Sequence, residues 1–204
     1  IDKEILGKPT VEFFQYNRLS DNVGAFSAEA EIVAYDAAED MALLRLKDVE
    51  KPAKYVAKFC PRAEIEGIHL YDEVWAAGAA LGHAPIITHG HLVYQNEIID
   101  NYDYWMSTAL IIFGNSGGAV FRPSSRGYEF IGIPSRLSVT LDGQAITHLG
   151  YFIPVGRVYS FLERSYYMFI YDSTYTPERC AEMRQKQISL SIGQLRREDR
   201  EGVK

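Results

Sequence analysis

The sequence predicts an all-β fold, a sandwich or barrel followed by a helical C-terminal segment, and three observations point to it. Sixteen glycines and fourteen tyrosines among 204 residues lean toward tight turns and pleated, half-buried surfaces. Short apolar or alternating runs recur between residues 11 and 154, each bounded by turn residues. From residue 155 the apolar spacing changes to that of a helix.

Taken in order, residues 11–16, 30–35, 41–46, 73–77, 86–94, 104–112, 119–121, 129–134 and 145–154 read as strands. Ser20-Asp21-Asn22, Asp36, Gly82, Asn96, residues 123–127 and Asp142-Gly143 punctuate them. Asp142-Gly143, between LSVTL and QAITHLGYFI, is a hairpin signal. The composition breaks over residues 47–63 (KDVEKPAKYVAKFCPRA), where two halves of an all-β unit would join. Val158, Phe161, Leu162 and Tyr166 share one face of a helix predicted over 155–171, which would cover the strand core. A second helical stretch follows at 178–187, and the charged tail RREDREGVK is expected to fray.

Composition narrows the function classes. A hydrophobic content of 47% suits a packed core, and a net charge of −6 argues against a nucleic-acid partner, which calls for a basic face. The Lys and Arg residues near the C-terminus are interleaved with Glu and Asp, as on a solvated face. Cys60 and Cys180 are far apart and form no CxxC pair, so no zinc or redox motif is visible; one disulfide and two free thiols both fit. No apolar run approaches the ~20 residues that span a bilayer. The opening IDKEILGK is not a signal peptide and lacks an initiator Met, which reads as a boundary made by processing or cloning.

FGNSGGAVF (113–121) sets Asn115-Ser116 among Gly114, Gly117 and Gly118, between apolar runs at 109–113 and 119–121 that read as buried. Such a serine is either a nucleophile on a rigid bend or an ordinary turn residue. A hydroxyl attacks a carbonyl only when a base takes its proton and donors hold the oxyanion. The amides of Gly114 and Ser116 can point into one small space and so meet the second need. Upstream, Asp40 precedes the strand MALLRL. It reads either as a turn cap or as a partly buried, paired carboxylate.

Three segments together resemble the trypsin-like serine proteases, nearest their HtrA/Deg branch. EDMALLRL is similar to the catalytic-aspartate segment. YDEVWAAGAALGHAPIITHGHLV (71–93) resembles the D-x-V-x-A-x-G stretch with the T-x-G-x-V strand after it. FGNSGGAVF with YEFIGIPS resembles the nucleophile loop and the strand lining the specificity pocket. Order and spacing agree over residues ~26–155.

The resemblance implies a double six-stranded β-barrel with an incomplete N-terminal barrel and a C-terminal helix. Residues 1–58 would be the remainder of the first barrel with the catalytic Asp. Residues 59–155 would be the second barrel with the nucleophile loop and pocket, and 156–204 the helix and charged tail. It implies a serine endopeptidase with Ser116 as nucleophile, Asp40 as orienter of the base, and the Gly114 and Ser116 amides as oxyanion hole. Leu110, Ile111, Ile112, Phe113, Ile133, Pro134, Ser135 and Arg136 would bind a polypeptide substrate. Leu110, Ile111 and Ile112 bring no charge to the pocket floor, which favours a small or apolar side chain before the scissile bond. Ser135 would hydrogen-bond Asp40, or would be a plain edge-strand serine. No metal or organic cofactor is implied.

Two departures stand out. The family's histidine precedes its aspartate, whereas His69, His83, His89, His91 and His148 all follow Asp40. His89 and His91 share a strand face and read as strand residues rather than metal ligands; His148 is read the same way. Either the catalytic histidine lies upstream of Ile1, in a segment carried by the same or a companion chain, or the chain is a pseudoprotease serving as a binding or structural module. The upstream histidine is the preferred expectation. An autoprocessing viral or phage protease and a homo-oligomer are further readings. Asn115 stands where many secreted members carry an aspartate that pairs with a freed N-terminal amine, so Ile1 is not expected to be an activation terminus. No segment resembling a PDZ module follows the helix.

Overall fold

A computed structural model describes residues 9–18, 21–48, 53, 55–140 and 142–201. The strands are β1 (Thr10–Arg18), β2 (Asp21–Asp36), β3 (Met41–Leu46), β4 (Lys58–Phe59), β5 (Glu73–Gly78), β6 (Ile86–Ile99), β7 (Tyr102–Ser107), β8 (Ala119–Ser124), β9 (Gly127–Val139) and β10 (Ala145–Pro154). Two helices follow, α1 (Val155–Arg164) and α2 (Pro177–Glu201). Residues through Val158 form one compact unit, and residues from Tyr159 onward form another.

Within the first unit the strands divide into two sheets. The first is an antiparallel meander, β1-β2-β3. The second runs β10-β7-β6-β5-β8-β9, with β4 added parallel to β9, and a β9–β10 pairing closes its six antiparallel strands into a ring. The Asp142-Gly143 signal does make a hairpin, with the Gly143 amide bonded to the Thr140 carbonyl and β10 returning at Ala145 opposite Val139.

Alternation explains why the ring holds. On β5 the buried residues Val74, Ala76 and Gly78 alternate with more exposed Glu73, Trp75 and Ala77, as a strand with one face inward requires. Tyr104, Leu92, Val120, Ile131 and Phe152 are all fully buried. A short 3-10 turn, Arg62–Gly67, is pinned to the β8–β9 hairpin by ion pairs. The Glu129 carboxylate is 2% exposed and accepts from Arg122 (3.1 Å) and Arg126 (2.8 Å), which both also reach Glu64. A buried carboxylate is tolerable only when paired in this way. Cys60 and Cys180 are both buried and are not joined in a disulfide.

The strand expected over 104–112 stops at Ser107; just beyond it the backbone of residues 108 and 109 passes so close to Gly90 that a methyl there would collide with the Ala109 nitrogen. The helix expected over 155–171 ends at Arg164, since Tyr166 takes the left-handed conformation (φ 56°) and breaks it. In the second unit Tyr159 packs edge-on against Tyr171, and the Arg184 guanidinium lies over Tyr167 while donating to the Tyr166 carbonyl. The second helix outruns its predicted end at 187 and reaches Glu201. No helix among the described residues is long and apolar enough to cross a membrane.

Candidate active site

Ser116 stands between the end of β7 and the start of β8, on a bend that the sequence over-determines. Gly114 has φ +95° and Gly117 φ +79°, conformations that glycine adopts at little cost. A methyl at Gly114 would lie 2.6 Å from the Ala79 carbonyl oxygen and 2.6 Å from the Leu81 nitrogen. Asn115 is buried beneath the bend; its Oδ1 accepts from the Ile112 amide (3.2 Å) and its own amide donates to the Ile112 carbonyl (3.0 Å). Gly117 N–H donates to the Pro134 carbonyl on β9 (3.0 Å), fastening the bend to the neighbouring strand. The Ser116 side chain is exposed at the top.

The bend also fixes its own donors. The Phe113 carbonyl accepts from the Leu81 amide at 2.8 Å. The C=O and N–H of a trans peptide point in opposite directions, so the Gly114 N–H is turned away from the 79–81 turn. Among the described residues neither the Gly114 nor the Ser116 amide is hydrogen-bonded. Two unsatisfied N–H groups flanking Asn115 are available to an incoming oxyanion.

Asp40 closes the β2–β3 turn. Asp36 Oδ1 accepts from the Ala38 and Glu39 amides (3.1 Å each), and this short-range cap shapes the turn. Asp40 then takes φ +58°, and Ser135 Oγ on β9 donates to its Oδ2 at 2.7 Å. The same Ser135 presents its carbonyl 3.4 Å from Ser116 Oγ. One residue of β9 therefore touches both the candidate nucleophile and the candidate orienter, which are 76 positions apart in sequence (116 − 40). The sequence left Asp40 open between a turn residue and a partly buried, paired carboxylate; in the structure the residue is exposed on the turn, at the rim of a three-stranded sheet, and its carboxylate is paired with Ser135. Among the described residues no histidine hydrogen-bonds Asp40 or Ser116. His89 instead lies against Trp75 (4.5 Å between centroids) and 3.9 Å from Glu73, as a strand residue does.

A groove of about 370 Å³ opens beside Ser116, lined by Ile111, Ile112, Phe113, Gly114, Ser116, Ser135, Arg136, Leu137 and Val139. Five of the predicted substrate residues meet here: Ile111, Ile112, Phe113, Ser135 and Arg136. Leu110, Ile133 and Pro134 do not line it. The Leu110 carbonyl accepts from Thr88 Oγ1 (2.8 Å) on β6, Pro134 is buried beneath the bend, and Ile133 pairs inward with Ile153. The run 109–113 is not uniformly buried either: Ala109 and Ile111 point inward, while Leu110 and Phe113 are exposed, because the chain alternates there without a partner strand. Val139 escaped the sequence reading; the length of the β9 pairing with β10, which holds it beside the groove, is set by the hairpin register and has no local motif. From Ser135 to Val139 the edge of β9 opposite β10 carries no strand partner among the described residues. Arg136 is held above its ordinary pKa, chiefly by its hydrogen bond to Asp100, and remains a fixed cation.

No protein-family model and no curated protein matches the sequence. The structure does resemble solved ones. It is similar to the HtrA-type protease AlgW with a decapeptide (TM-score 0.57, 23% identity, covering 69% of this chain and 41% of that one). It is likewise similar to AlgW with a tripeptide (TM-score 0.57, 20% identity, 78% and 52%). The chain thus has a trypsin-like fold, and spans about half or less of the length of these proteins.

Proposed function

We propose that the chain is the catalytic part of a serine endopeptidase that cleaves through an acyl-enzyme on Ser116. The observation that carries this is the double role of Ser135, whose hydroxyl binds Asp40 at 2.7 Å and whose carbonyl lies 3.4 Å from the Ser116 hydroxyl. Ser116 Oγ attacks the scissile carbonyl, a base takes its proton, and the developing O⁻ is received by the Gly114 and Ser116 amides. The base then returns the proton to the leaving amine, and water releases the acyl group. The proposal assigns the base to a histidine outside residues 1–204. Asp40 keeps one carboxylate oxygen for its imidazole N–H, and the other is taken by Ser135.

The substrate is an extended polypeptide. The open edge of β9 offers main-chain hydrogen bonds to a strand laid beside it, and Ile111, Ile112, Leu137 and Val139 favour a small or apolar side chain before the scissile bond. The neighbours bound to peptides agree with this reading. The competing reading, a binding module on the same scaffold, draws on the lack of a histidine at Asp40 among the described residues. A fluorophosphonate probe separates the two. The full-length protein is expected to be labelled and Ser116→Ala is expected not to be; equal labelling of both, or of neither, overturns the hydrolase.

A further inference from the structure

Arg157 sits in the first turn of α1, 118 residues from its partner Glu39, and its guanidinium reaches the turn that carries Asp40. Nη2 donates to the Glu39 backbone carbonyl at 3.1 Å and lies 3.6 Å from the Glu39 carboxylate. Nη1 donates to the Asp103 carbonyl on β7 at 3.1 Å. The guanidinium plane lies over Tyr102 (4.7 Å) and Tyr104 (5.0 Å). A single side chain, 9% exposed, thus joins the closed ring to the residue immediately before Asp40.

We propose that Arg157 is a positioning residue for Asp40, a role that rests on reading Ser116 as the nucleophile. Three physical points support it. Asp40 holds a left-handed backbone (φ 58°) that an L residue keeps only where its surroundings over-determine it. Ser135 fixes its side chain, and Arg157 fixes the carbonyl of the peptide that enters it. An Arg fork can serve two carbonyls on different elements at once, which the single ammonium of a lysine does less well. Finally, burial of a cation whose Nε has no hydrogen-bond partner is a poor way merely to fill space. Apolar packing would serve that end better.

The test uses the full-length protein and a peptide p-nitroanilide with leucine before the anilide. Arg157→Met keeps much of the packing over Tyr104 and removes the donors. The expected result is a kcat about 10²-fold lower, the loss that follows a misplacement of about 1 Å at a catalytic group, with KM within about twofold of the parent because Arg157 does not line the groove. Arg157→Lys should recover part of the kcat. A parental kcat in Arg157→Met, or a loss expressed in KM instead, overturns the proposal. Should Arg157→Met fail to fold, Arg157→Lys decides: a lowered kcat at parental KM supports the tether, and a parental kcat overturns it. Loss of fluorophosphonate labelling in the parent itself would refute the hydrolase and the tether together, whereas a labelled parent with an unaffected Arg157 variant refutes the tether alone.

Discussion

The closed ring and the three-stranded sheet each hold one candidate catalytic group, and they do so in opposite ways. In the ring, Ser116 sits on a bend that backbone contacts leave little room to move. Gly118 is packed so closely on the Ala77 carbonyl and the Asn115 carbonyl that no side chain fits. In the sheet, Asp40 sits on an exposed turn fixed by side chains: Asp36 from within, Ser135 from the ring and Arg157 from α1. The ring buries Leu92, Tyr104, Val120 and Phe152 completely, although Ile87, Ile98 and Val139 on its strands stay exposed, whereas Val23, Ile32 and Tyr35 of β2 in the smaller sheet remain 61%, 53% and 71% exposed. The lesson is that the Ser116 bend is held by backbone packing, and the Asp40 turn by side chains borrowed from other elements.

Substitutions can break this contrast, and the largest effect should come from the nucleophile bend. Gly118→Val places Cβ against the Ala77 carbonyl and 2.9 Å from the Asn115 carbonyl, both backbone atoms that cannot step aside. A destabilisation of about 3 kcal/mol or more is expected, at the upper end of overpacking penalties, read as a lower urea midpoint together with lost labelling of Ser116. A Gly118→Val protein with the parent's midpoint would show that the bend is not held by packing.

A smaller effect belongs to the ion-pair cluster of the ring. Glu64 is held below its ordinary pKa chiefly by its hydrogen bond to Arg126; desolvation, the next largest influence, opposes this, and the charges of Arg126 and Arg122 add to the lowering. A depressed carboxylate adds stability that is present above its unfolded pKa, about 4.3, and is lost as pH falls through the lower folded value. Glu64→Gln, which leaves the pairing of the buried Glu129 intact, should therefore lower the melting temperature slightly at neutral pH, and the gap to the parent should close in acid below that range. A gap that widens in acid would contradict the assignment. Exposure of Arg126 and Glu64 keeps the effect modest.

Much of this was legible in the sequence, for physical reasons that differ by element. Period-two alternation announced β5, and Asp142-Gly143 announced the β9–β10 hairpin that closes the ring, because both signals are local. The nucleophile bend was legible because its glycines are obligatory at positive φ. The Asp40–Ser135 pair spans 95 residues and came only from resemblance to a family. The Arg157 tether left no trace at all, since a contact 118 residues long has no pattern a periodicity can carry. Whether Asp40 is an exposed turn residue or a partly buried acid stayed open for the same reason: the extent of the sheet around it is set by contacts far along the chain.

The central claim is that Ser116 and Asp40 act as one unit through Ser135, and a double-mutant cycle tests it most directly. Hydrolysis of the leucine p-nitroanilide would be measured for the full-length parent, Asp40→Asn, Ser116→Ala and the double variant. The account predicts that Asp40→Asn loses about 10⁴-fold in kcat, as when an orienting carboxylate is neutralised, and that the double variant is no slower than Ser116→Ala, as residues of one catalytic unit behave. A double variant slower than Ser116→Ala by the full Asp40→Asn factor would mean that the two side chains work independently, and would contradict the site.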